Sequence, residues 1–71
     1  MEQINLLDTV ALNEDLPEQG LVRGQVGTVV ELLEPDAFEI EFCDDQGRSY
    51  ACFGVPRAKL MRLRYQRVAA T

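Results

Sequence analysis

The sequence predicts an all-β domain, a small barrel of five short strands, and three observations carry that expectation. Phe38, Ile40 and Phe42 alternate with Glu39, Glu41 and Cys43, the period of a strand with one buried and one wet face. Gly20, Gly24 and Gly27 lead into Thr28-Val29-Val30, a backbone that turns tightly and then extends through branched side chains. Asp44-Asp45-Gln46-Gly47 follows the alternating run with acidic and amide residues suited to a hairpin turn and a glycine free to take positive φ.

In chain order, Met1 to Leu6 carries little pattern and is expected to be a loosely held lead-in. Asp8-Thr9-Val10-Ala11-Leu12 alternates with Val10 and Leu12 on one side, a first strand. Asn13 to Gly20 is dense in charge and turn formers around Pro17 and reads as a surface loop rather than a helix, with Leu16 and Leu21 anchoring its two limbs. Gly20 and Gly24 are expected to form the loop exit and a turn, and Gly27 to bend a second strand that runs from Val26 to Leu33. The Phe38 to Cys43 strand, the turn at Gly47 and a fourth strand from Arg48 to Val55 make a hairpin. Pro56 to Lys59 is too short for a true helix and fits a single 3₁₀ turn before a last strand over Leu60 to Leu63.

Pairing Cys43 with Arg48 across the hairpin sets Tyr50 opposite Glu41 and Cys52 opposite Glu39, and gathers Ala51, Phe53 and Val55 with Phe38, Ile40 and Phe42 inside. In that register Cys43 and Cys52 lie on the order of 13 Å apart, beyond disulfide reach, so both are expected to be free, small and half-buried.

Seventy-one residues bound one core, at a size where self-association often supplements burial. No segment approaches the length of a membrane span or a signal-peptide core, which gives a cytoplasmic expectation. The net charge of −5 conceals a segregation: all 12 acidic residues lie between Glu2 and Asp45, and six of the 7 basic ones follow from Arg48 onward. The simplest reading is that the two halves pair with each other across one fold.

Three features resemble known families. Gly54-Val55-Pro56 followed by Leu60 and Leu63 is similar to the closing signature of SH3 domains, and the succession of strands and turns resembles the five-stranded SH3-like barrel with one 3₁₀ turn before the last strand. Gly24-Gln25-Val26-Gly27-Thr28-Val29-Val30 resembles the glycine-centred core of a KOW motif. Over Leu7 to Leu63, the order Asp8, Val10, Leu12, Asp15-Leu16-Pro17, Gly20-Leu21, Gly24, Gly27-Thr28-Val29-Val30, Phe38, Glu41-Phe42, Gly47, Leu60 resembles a family of small bacterial domain-of-unknown-function proteins. That resemblance implies an SH3-like architecture and no particular activity. The chain accordingly divides into a barrel over 1–63 and a basic tail over 64–71.

With no histidine, no lysine-bearing phosphate loop and no base beside either thiol, the chain is expected to be neither an enzyme nor a cofactor binder. Glu31, Glu39 and Glu41 match no calcium loop and read as a solvated strand face that Arg48 and Tyr50 neutralise or bond to, so no metal is expected. The KOW resemblance implies RNA or ribosome binding, which only the Arg57 to Arg67 segment suits, against an isoelectric point near 4.5. Proline-rich peptide binding needs a groove of aromatic rings, and the chain has no tryptophan and two tyrosines. The expected function is a protein-interaction module that self-associates. Its expected surface is Leu21 and Val22 of the loop with Leu63, Arg64, Tyr65, Arg67 and Val68 of the tail, held on a scaffold shaped by Gly20, Gly24, Gly27, Gly47 and Pro56.

Overall fold

The computed structural model describes residues 3–64. Five strands form one antiparallel sheet: β1 (Thr9–Leu12), β2 (Val26–Leu33), β3 (Ala37–Cys43), β4 (Ser49–Pro56) and β5 (Leu60–Arg62). Their order across the sheet is β4-β3-β2-β1-β5. Among the described residues β4 and β5 do not pair, so the sheet is open at both edges where the sequence predicted a closed barrel. The two edge strands are joined through the expected 3₁₀ turn, Arg57–Lys59.

Alternation decides the faces. Phe38, Ile40 and Phe42 of β3 are buried with Val10 and Leu12 of β1, Val29 of β2, Val55 of β4 and Leu60 of β5, while Ala51 and Phe53 pack partly buried against them. Ile4 is also buried in this cluster, so the lead-in is not loosely held over that residue. Its path is fixed by a turn in which Asp8 donates its N–H to the Asn5 carbonyl at 3.1 Å and the Asp8 carboxylate accepts the Asn5 N–H at 2.7 Å.

The hairpin corrects the expected register. Asp44, not Cys43, faces Arg48: the Asp44 N–H donates to the Arg48 carbonyl at 2.9 Å, and the Gly47 N–H donates to the Asp44 carbonyl at 3.0 Å with Gly47 at φ +81°. A second one-residue offset follows, because Cys43 pairs with Ser49 and Phe42 with Ala51, leaving Tyr50 as a bulge. Two single offsets sum to two, which returns Ala51 to Val55 to their predicted faces. Glu41 therefore lies opposite Cys52 and Glu39 opposite Gly54. Both cysteines are free, Cys43 half-buried and Cys52 exposed where a half-buried thiol was expected.

At Gly27 β2 lies too close to β3 to admit a side chain. A Cβ placed there would meet Ile40 Cγ2 at 2.6 Å and the Glu41 carbonyl oxygen at 2.7 Å. The residue thus serves close packing of β2 on β3, and its φ is not in the left-handed region. Gly20 at φ +72° and Gly24 at φ +93° hold the loop exit and the turn.

Candidate interaction surface

The loop between β1 and β2 is a fixed structure. It contains a second 3₁₀ turn, Pro17–Gln19, where the sequence predicted a plain loop. Leu16 and Leu21 bridge its limbs through reciprocal backbone bonds of 2.9 and 3.1 Å, and the Asp15 carboxylate accepts the Arg23 N–H at 2.8 Å. Gln25 closes the tip: its Oε1 accepts the Val22 N–H at 2.6 Å and its Nε2 donates to the Tyr50 hydroxyl at 2.8 Å. Tyr50, set out of register by its bulge, also stands with its ring centroid 6.5 Å from that of Phe42. An open cleft of about 480 Å³ lies beside this contact, lined by Val26, Cys43, Asp44 and Asp45 among others.

The predicted surface does not assemble as expected. Leu21 is only 3% exposed and belongs to the core, as its anchoring role requires, so it leaves the candidate surface. Val22 is 56% exposed at the loop tip. Leu63 is half-buried and Arg64 exposed. Leu63 donates its N–H to the Thr9 carbonyl, whereas the turn after Val22 is tied to the Leu12 carbonyl by the Gly24 N–H, so Val22 and Leu63 stand at opposite ends of β1. Tyr65, Arg67 and Val68 lie outside the described residues.

Other apolar side chains are exposed that sequence reasoning did not single out. The Leu7 N–H donates to the Val29 carbonyl at 2.8 Å, which brings Leu6 and Leu7 to the end of β2 that carries Val30 and Leu32. Leu7 is 70% exposed and sits at φ +70°, a conformation costing a non-glycine residue about 1–2 kcal/mol. Val30 is displaced outward by a bulge between Val29 and Glu31. Toward the β5 edge of the sheet, exposed Met61 and Val26 flank Ala11 on either side. No spacing rule marks these positions, because a bulge and a left-handed leucine break the alternation on which such rules depend.

Charge follows the simplest reading. Arg48 pairs with Asp44 at 3.1 Å, Arg57 with Asp36 at 2.9 Å, Lys59 with Glu14 at 3.7 Å and Arg62 with Asp8 at 3.1 Å, each joining a late cation to an earlier carboxylate. Arg48 is therefore engaged with Asp44, and Tyr50 with Gln25, in place of the expected glutamates. The Arg48 N–H, bonded to the Asp44 carboxylate with help from the Gln46 N–H, holds that carboxyl below its ordinary range. Glu31 and Glu39 face each other across β2 and β3, and the Cys52 thiol donates to Glu39 Oε2 at 3.2 Å. That hydrogen bond, then burial and the charges of Glu39 and Glu41, push the thiol pKa up and keep it protonated. Among the described residues no group of three His, Cys, Asp or Glu side chains is placed to hold a metal ion, and no helix is long and apolar enough to cross a membrane.

Comparison with known proteins gives one finding. A family model described as a domain of unknown function, DUF4926, matches residues 6–62, from the Leu6-Leu7 turn to the end of β5. Nothing among curated proteins or solved structures matches the chain. With its whole sheet covered by that match, the chain belongs to the DUF4926 family.

Proposed function

We propose that the protein is a non-enzymatic protein-interaction module that self-associates. The observation that carries this reading is the surface of the open sheet and its flanking turns: Leu6, Leu7, Val22, Val26, Val30, Leu32, Tyr50 and Met61 are all exposed, and among the described residues both edge strands are left open. Exposed apolar side chains that gather, as Leu6 and Leu7 do beside the end of β2 that carries Val30 and Leu32, are the ordinary mark of an interaction surface. The strained, hydrogen-bonded setting of Leu7 supports it, since a left-handed leucine persists only where the surrounding chain over-determines it. The strand order β4-β3-β2-β1-β5 with a 3₁₀ turn before β5 supports an SH3-like barrel held open as the architecture behind this surface. The pairing of four late cations with carboxylates of the same chain weighs against the nucleic-acid alternative, which needs those cations for phosphate.

Sedimentation equilibrium over a dilution series tests the proposal. The expected weight-average mass rises above the 8.0 kDa of one chain as concentration increases. A mass that stays at one chain throughout refutes self-association.

A further inference from the structure

β4 is an edge strand of eight residues, Ser49–Pro56, and none of them is charged. Natural edge strands are ordinarily blunted by charge, by proline, by bulges or by brevity, because a bare edge offers its free N–H and C=O groups to any other strand. The opposite edge, β5, is three residues long and carries Arg62. β4 has its bulge at Tyr50 and its proline at position 56, but Ala51-Cys52-Phe53-Gly54-Val55 between them has neither device. On this stretch Ala51 and Phe53 are only partly buried, and Cys52 and Gly54 are exposed.

We propose that β4 pairs antiparallel with β4 of a second copy of this chain, about a two-fold axis at Cys52. The inference rests on the self-association reading and names the surface and the partner. A two-fold contact requires a self-complementary patch, and an uncharged strand meets itself without opposing like charges. The nearest carboxylates, Glu39 and Glu41, belong to β3, whose backbones in the two copies stand about three strand spacings, roughly 14 Å, apart, and Glu39 is engaged by the Cys52 thiol of its own chain at 3.2 Å.

The register follows from the faces and from Pro56. Paired residues must point to the same face if the two cores are to lie on one side, so the axis passes at a residue and not between two. Centring on Phe53 would set Pro56, which has no N–H to give, opposite Tyr50 of the second copy. Centring on Cys52 leaves Pro56 outside the ladder, sets Phe53 against Ala51 of the second copy and brings the two Cys52 side chains face to face. Directly opposed antiparallel residues have Cα atoms about 4.5–5.5 Å apart, within disulfide reach. The regular ladder, which ends at the Tyr50 bulge, is short beside the 20–30 residues a side of a standard interface, which makes the dimer reversible.

The test uses the full chain with Cys43→Ser, which leaves Cys52 as the only thiol. Treatment with diamide at alkaline pH, where the thiol that Glu39 keeps protonated begins to ionise, is expected to give a disulfide-linked dimer with unchanged circular dichroism. In parallel, Cys52→Lys places a cation beside Glu39 and Glu41, so the single chain is expected to melt no lower than wild type, while two lysines oppose each other at the axis. Sedimentation is then expected to show dimer dissociation strengthened at least about tenfold. If wild type associates while Cys52→Lys associates equally, the β4 pairing is overturned and self-association stands. The β4 pairing is likewise overturned if association persists in Cys52→Lys and vanishes only on removing residues 64–71. A wild type that sediments as one chain overturns both.

Discussion

Gly27→Ala is the substitution whose effect follows most directly from the geometry. At a glycine with unstrained φ and open space, alanine usually stabilises by about 0.4–1 kcal/mol, because it restricts the unfolded chain. At Gly27 the new Cβ meets Ile40 Cγ2 at 2.6 Å and the Glu41 carbonyl oxygen at 2.7 Å, both inside any tolerable carbon contact. The first contact is with a fully buried, β-branched side chain whose rotation is restricted. The second is backbone in the middle of the β2·β3 ladder and yields only if the strands separate. Overpacking of this kind costs about 1–3 kcal/mol. At a central value of about 2 kcal/mol, a domain this size loses roughly 8–16 °C of melting temperature. Thermal unfolding followed by circular dichroism measures it. Gly24 is the control: it has open space but φ +93°, so Gly24→Asn is expected to cost less than Gly24→Ala, while Gly27→Asn costs more than Gly27→Ala. A melting temperature for Gly27→Ala equal to or above wild type would refute the close-approach argument.

Two further outcomes test the loops that frame the sheet. Asp44, its carboxyl held below the ordinary aspartate value of 3.8 by the Arg48 and Gln46 N–H groups, contributes stability that is fully present above that value and is lost as pH falls through the lower folded pKa. Asp44→Asn is therefore expected to melt below wild type at neutral pH and to converge on it in strong acid, and a constant gap across the pH series would contradict the assignment. Leu7→Asn places at φ +70° a residue that tolerates that conformation, so the variant is expected to unfold at equal or higher denaturant while associating no more strongly than wild type; a clear loss of stability would show that the exposed leucine side chain carries packing.

Much of this fold was legible in the residues, and the failures have identifiable causes. The Phe38 to Cys43 alternation read correctly because its patterning is local and uninterrupted along the chain, and the extent of the Val26 to Leu33 strand read correctly from its branched side chains although a bulge at Val30 breaks its alternation. The hairpin register did not, because Asp44 uses its side chain to recruit the Gln46 and Arg48 N–H groups and faces Arg48 itself, which shortens the turn from four residues to three, and a second offset follows at Tyr50. Hydrophobic pattern determined the faces and was blind to a shift of two. Leu21 shows the limit of reading exposure from loop context: the bond to Leu16 that makes it an anchor is also what removes it from the surface. Leu7 could not have been singled out at all, since nothing in Asn5-Leu6-Leu7-Asp8 announces a left-handed leucine. The segregated charge, by contrast, reads simply once the fold is known, as β5 and its preceding turn lie against the acidic first half.

Amide hydrogen exchange across a concentration series tests the central claim most directly. Alternate amides of β4 bond to β3, and those between them face the open edge. Self-association through this edge predicts that the outward amides of Ala51 to Val55 gain protection as concentration rises, while those of β5 stay unchanged. Exchange of β4 that is the same at every concentration would contradict the account.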